Sequence, residues 1–393
     1  MDKEKHFGTH ILSIILFLYP IEQFQIVHIE HLLGFFSPFR MIILPLCIIY
    51  IIYSLRDGLK PVGANIFVAI IFFMFAFLAT FNCGNVSAPI SFIGNIVQFT
   101  MAYLLIQNMG FQKENLYVMT IWTLSQVPSL IIAFFSNGLG MSQRFCGLFF
   151  DPNYLCAFVN AGIVSAAILY SRETNKFLKY YNLAIVFIGV VIIFMSFSRG
   201  GMLSLLLIIL YFFYVKKKSL FFLLLGLSVV FIPVLYARAQ FLTWQDGADN
   251  FFDGFLYRTF TLSGDMSELT AERSDYAVVF FNHFDEYLYW GTDVFTYFDT
   301  YNGGGFIHNG FLEILIQGGI LVGGVFVVFI ISSLIKIFIY SLKYKVISSE
   351  VLICMGVFIS LATLSFTSKI AWLCMGLFFG LSSQKVFLER CIK

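Results

Sequence analysis

Apolar stretches of about 20 residues, the length a helix needs to cross a bilayer core, recur along this chain from end to end. No other feature constrains the fold as strongly, because backbone polar groups in hydrocarbon must be satisfied within their own segment. Twelve spans are read from these runs: 8–24, 34–54, 63–81, 89–107, 116–136, 153–170, 180–197, 201–215, 219–237, 309–335, 350–366 and 369–386. Only 12% of the residues are charged and the mean hydropathy is +0.87, whereas a soluble domain carries about a quarter charged residues. The expected fold is an all-α polytopic membrane protein, one integral membrane domain over 1–393. A single long extracytoplasmic loop, 238–308, precedes the tenth span. Ser198-Arg199-Gly200-Gly201 interrupts a nearly continuous apolar run. We read it as a tight turn between two spans, the alternative being one broken helix. The first apolar run lacks a small-residue cleavage site and is expected to be a retained helix.

Lys and Arg in the short connections set the orientation. Taking the N-terminus, with Lys3 and Lys5, as inside, every second connection is basic: Arg56 and Lys60, then Lys113, then Arg172, Lys176 and Lys179, then Lys216-Lys217-Lys218, then Lys336, Lys343 and Lys345, and finally the C-terminal Lys385, Arg390 and Lys393. Both termini are therefore expected in the cytoplasm. The seven remaining cations are Arg40, Arg144, Arg199, Arg238, Arg258, Arg273 and Lys369, all at or near expected outer ends of spans or in expected outer loops. Six of these are arginines, whereas most inner cations are lysines. Lysine suffices for topology, but arginine offers a planar fork matched to phosphate oxygens and stays protonated in any environment. A single arginine at a helix end is more simply a snorkelling side chain or a carboxylate partner; the set as a whole points to an anion.

Between the long loop and the tenth span stands Phe306-Ile307-His308-Asn309-Gly310-Phe311-Leu312-Glu313. Asn309 is a good N-cap, so a helix is expected to start at Gly310 or Phe311. The positive end of that helix would disfavour an imidazolium, leaving His308 neutral around physiological pH and able to accept a proton. The plainer role for His308 is a hydrogen bond to the helix end. Glu313 orients a neighbour or favours the helix dipole. Asp151 is an alternative base, though a cap for the helix after it is the simpler role. Tyr276, Tyr289, Trp290, Tyr297 and Tyr301 can stack on sugar rings or anchor at the interface, and Gly303-Gly304-Gly305 reads as a hinge. Glu22, His28, Glu30 and His31 line the first outer loop without a required role.

Other chemistries find little support. No basic run exceeds three residues, so nucleic acid is not an expected partner. The seven Cys are scattered without a C-x-x-C pair, which argues against a metal or redox centre. A Cys83–Cys146 disulfide between outer loops is conceivable but not expected. The acidic cluster from Asp246 to Asp253 lacks the spacing of a calcium loop. No metal site and no cofactor are expected.

Three segments together resemble the O-antigen ligase and polymerase superfamily of bacterial membrane glycosyltransferases. They are Arg144-Phe-Cys-Gly147-Leu-Phe-Phe-Asp151-Pro152-Asn153, then Ser198-Arg199-Gly200-Gly201, then Arg273 with Gly291 and His308-Asn309-Gly310-Phe311-Leu312-Glu313 followed by Gly318-Gly319. The resemblance covers roughly 115–340. It implies a GT-C-type helical fold in the bacterial cytoplasmic membrane and a polyprenyl-diphosphate-linked oligosaccharide as donor. Transfer would occur on the outer face, without a metal. It also implies His308 as base and Arg199 and Arg273 as diphosphate ligands. Arg144, Asn153, Arg258, Asn309 and Glu313 are the further candidates for holding substrate. The lipid bilayer is the necessary surrounding, and a polysaccharide chain-length regulator is a conceivable partner. A repeat-unit polymerase is the leading expectation and a ligase acting on lipid A-core its nearest rival. A lipid-linked oligosaccharide transporter is disfavoured, because transporters usually carry midplane charges and repeated halves. A non-catalytic assembly partner on the same scaffold would have no need of His308 and the outer arginines.

Overall fold

The computed structural model of the protein describes residues 2–22, 38–56, 64–80, 87–109, 112–135, 144–149, 151–216, 232–242, 251–260, 273–301, 309–344, 372 and 375–376. Among these residues the regular structure is helical, with no strand. The helices are α1 (Asp2–Glu22), α2 (Pro38–Arg56), α3 (Ala64–Thr80), α4 (Ser87–Met109), α5 (Lys113–Leu124), α6 (Val127–Phe135), α7 (Pro152–Arg172), α8 (Lys176–Met195) and α9 (Arg199–Lys216). After them come α10 (Phe251–Phe260), α11 (Arg273–Asn282), α12 (Phe284–Tyr287), α13 (Val294–Tyr301), α14 (Gly310–Gly318), a π-helical turn (Gly319–Gly324) and α15 (Val325–Tyr344). The segment read as a polar loop is thus largely helical where it is described, with turns and irregular chain at 240–242 and 288–293. The expected span at 350–366, nearly all of 369–386 and most of 219–237 fall outside the described residues.

Four helical segments are long and apolar enough to cross a membrane: Lys113–Phe135, Pro152–Arg172, Lys176–Met195 and Gly310–Ser333. Large apolar side chains such as Ile132, Phe187 and Val328 stand exposed on them. So many in water would be an association hazard, and hydrocarbon is their natural solvent. The protein is a helical membrane protein. α7 is central, with 67% of its apolar window buried inside the protein against 28% for α8. It packs on α5, α8 and α9, while α1 links α5 to α2 and α4. A second group, in which α3 meets α4, α14 and α15, completes the packing.

The ends of these helices are chemically defined. Asp151 caps α7, its carboxylate accepting the Asn153 N–H at 2.6 Å, and Pro152 sits at the first turn, where its missing N–H costs nothing. Asn175 caps α8 by accepting the Phe177 N–H at 2.9 Å. Between the two helices Glu173 accepts from Lys113 Nζ at 2.7 Å, the Tyr117 hydroxyl at 2.8 Å and the Thr174 N–H at 3.1 Å. Its carboxyl is held well down, to about 2, first by Lys113 and then by Tyr117. Asn309 caps α14, accepting the Phe311 and Leu312 N–H groups at 3.1 and 3.3 Å. That helix begins at Gly310, as its cap foretells.

The span read at 116–136 is two helices with a turn at Ser125–Gln126. Pro128 has no N–H to give to Leu124, so the ladder breaks just before it. Segment 288–292 crosses the junction of α14 and the π turn, with Thr292 N–H on the Ile316 carbonyl at 2.7 Å and Ile320 N–H on the Leu288 carbonyl at 2.8 Å. Gly291 is required at this crossing. Its φ is +77°, and a Cβ there would lie 2.6 Å from the backbone of Gln317 and Gly319.

Candidate functional site

Two of the three sequence segments meet at the starting end of α7. The Arg144 strip lies against the end of α8: Phe145 N–H donates to the Met195 carbonyl at 3.2 Å, and Arg144 Nε donates to the Ser196 carbonyl at 3.4 Å. The Ser198 hydroxyl donates to Asn153 Oδ1 at 2.7 Å and accepts the Gly201 N–H at 3.1 Å. Beneath them Cys156 Sγ and Ser196 Oγ share a hydrogen bond at 3.1 Å, and Asn160 Nδ2 donates to the Gly201 carbonyl at 3.3 Å. As the chain advances from Ser198 to Gly201, its partners on α7 advance from Asn153 to Cys156 and Asn160. α9 therefore runs parallel to α7 and antiparallel to α8. Residues 196–198 are a reversal between two helices, not a kink in one.

Arg199 is the first residue of α9, half-buried, and Arg144 is also half-buried. Their strip and turn are built from uncharged, mostly buried groups: Ser196 and Ser198 are fully buried, and Phe145 and Phe197 nearly so. Asp151 is committed to its cap. Gln126, fully buried at the break between α5 and α6, accepts the Leu148 N–H at 2.9 Å and so ties the strip down from below. Gly147 is needed there, since its φ is +59° and a Cβ would strike Gln126 Oε1. Cys146 is a free thiol donating to the Arg144 carbonyl, with its pKa pushed up by burial. Cys83, its conceivable partner, lies outside the described residues.

Of the third segment, Asn309 and the fully buried Glu313 open α14. A carboxylate in a first helical turn is favoured by the helix dipole. His308 lies outside the described residues, as do Gly303-Gly304-Gly305, His28, Glu30 and His31. Arg273 opens α11 and Arg258 stands on α10, but their side chains also lie outside the description.

The aromatics between 289 and 301 divide. Tyr289 and Trp290 are exposed. Tyr297 is buried between Tyr287 and Tyr301, at ring distances of 5.4 and 5.1 Å, so stacking on a sugar is closed to it. Tyr301 stacks on His283 at 4.2 Å and donates its hydroxyl to Glu286, whose other oxygen pairs with His283 Nδ1 at 2.8 Å. The Glu286 carboxyl is lowered by Tyr301 and then by His283, and the Tyr301 phenol is raised by Glu286. This cluster escaped the sequence reading. Its one signal was a His and a Glu three apart, the spacing that brings side chains together on a turn of helix.

Among the described residues no group of three or more His, Cys, Asp or Glu could hold a metal ion. No family model matches the chain, and no curated protein does.

Proposed function

We propose that this protein is a membrane glycosyltransferase of the O-antigen polymerase type, with twelve spans in a GT-C-like arrangement. It takes a glycan from a polyprenyl-diphosphate carrier and passes it to a lipid-linked acceptor at the outer face of the bacterial cytoplasmic membrane. The observation that carries this reading is the junction of the Arg144 strip with the Ser196–Arg199 reversal. Segments far apart in sequence, both with counterparts in that superfamily, converge there with their two arginines.

In this reading an acceptor hydroxyl attacks the anomeric carbon of the donor sugar. The new carbon–oxygen bond forms as the bond to the diphosphate breaks, and the electron pair leaves with the diphosphate. Arg144, Arg199 and Arg273 stabilise that charge through fixed guanidinium groups. His308 takes the proton of the attacking hydroxyl. Attack opposite the leaving group inverts the anomeric configuration.

The test uses purified protein in detergent with EDTA present and a polyprenyl-diphosphate-linked repeat unit as the only substrate. A product ladder that disappears in His308→Ala is the expected result. Transfer that requires added lipid A-core would make the protein a ligase. Silence in both assays would overturn the transferase reading and return the transporter to favour.

A further inference from the structure

The reversal between α8 and α9 carries a strain that chain reversal alone does not require. Phe197 has φ +50°, the left-handed region in which a bulky residue is a strained outlier. Glycine would remove that strain, and two glycines stand close by at Gly200 and Gly201, yet the strained position holds a phenylalanine that is only 1% exposed. Such a conformation persists only where its surroundings over-determine it, and here they do. Ser196 Oγ donates to the Ile193 carbonyl at 2.6 Å and accepts the Ser198 N–H at 3.1 Å. The Ser198 hydroxyl then joins the turn to Asn153, 45 residues earlier. The outcome is a fixed register between the first turns of α7 and α9. Arg199 starts one of those helices, and Arg144 rests on the carbonyl of Ser196 in the turn itself.

We propose that Ser198 and Asn153 are positioning residues: their hydrogen bond sets the placement of Arg199 relative to Arg144, so that the two form one preorganised clamp for a diphosphate. This rests on the reading of those arginines as diphosphate ligands. It assigns Asn153 a role through the arginines, in place of direct contact with substrate. Were the hydrogen bond to serve stability alone, breaking it would leave anion affinity unchanged.

Binding of inorganic diphosphate to the purified full-length protein is the measurement, with the thermal midpoint followed in parallel. Ser198→Ala and Asn153→Ala should each weaken binding by about 10- to 100-fold, the penalty for a charged group displaced by about an ångström. Arg199→Lys weakens binding as well. In the Arg199→Lys background Ser198→Ala should add less than about twofold, since groups acting through one another are not additive. Wild-type affinity in both alanine variants, or a full additive loss in the Arg199→Lys background, overturns the positioning role while the transferase reading stands. No diphosphate binding by the wild type overturns both. Should Ser198→Ala fail to fold, the half-buried Asn153 carries the same cycle by itself.

Discussion

Gln317 shows how much one buried side chain can hold in a membrane protein. Its Oε1 accepts the Val294 N–H at 2.9 Å and its Nε2 donates to the Ala76 carbonyl, also at 2.9 Å. One amide thereby joins α13, α14 and α3, and it is 1% exposed. Gln317→Leu keeps the volume but orphans a buried donor and a buried acceptor. We expect a loss of about 1–3 kcal/mol, the usual range for an unsatisfied buried group, read as a lowered thermal midpoint in detergent. Tyr289→Ala, at an exposed position, serves as the neutral control. A glutamine inside the apolar run from Phe311 to Ile339 is visible as an anomaly in the sequence. Its partner on α3 is not, because Ala76 lies 241 residues away and contributes only a carbonyl. The same limit explains why Tyr297 reads in the sequence as an aromatic for a sugar or the interface and is a core residue in the fold.

Elements were legible where their ends carry chemistry. Asn309, Asp151-Pro152 and Ser198-Arg199-Gly200-Gly201 each announced a boundary that the helices respect, because caps and prolines act within a few residues. The break between α5 and α6 was missed, although Pro128 signals it, because hydropathy is blind to a missing N–H in an apolar run. The crossing of 288–292 over α14 was not readable either, since it depends on glycines meeting across the fold. The joint of α5, α7 and α8 at Glu173 yields a prediction of its own. Its carboxyl titrates at about 2 in the folded protein against an ordinary 4.5. Between those values the unfolded chain binds more protons than the folded one, so stability falls as pH falls. The Glu173 contribution should be complete above about pH 4.5 and gone once the pH has dropped through about 2. Glu173→Gln should show a lower thermal midpoint at neutral pH and a shallower decline through that window. An unchanged acid limb in the variant would remove Glu173 from the account.

At the scale of the whole molecule, α7 sorts the charges. Its 21 residues span about 30 Å at 1.5 Å per residue, the thickness of a bilayer core. Lys113, Arg172 and Lys176 gather with Glu173 at its finishing end. Arg144 and the start of α9 at Arg199 lie at its beginning. Lysine-rich and arginine-bearing ends are thus separated along one helix by the distance that separates the two faces of a membrane. The bias of basic residues towards the cytoplasm predicts that the lysine end lies inside, and the proposed transferase site would then face out. Single cysteines test this in a background in which all seven native cysteines are replaced by serine. Thr174→Cys and Trp290→Cys place thiols at exposed positions, one between α7 and α8 and the other in segment 288–292. A membrane-impermeant maleimide should label Trp290→Cys in intact spheroplasts and reach Thr174→Cys only after permeabilisation. The reverse pattern would put the two arginines on the cytoplasmic side, where a transferase fed from the outer leaflet could not work. Equal labelling of both without permeabilisation would mean that α7 does not separate two compartments, and the assignment of faces would fall with it.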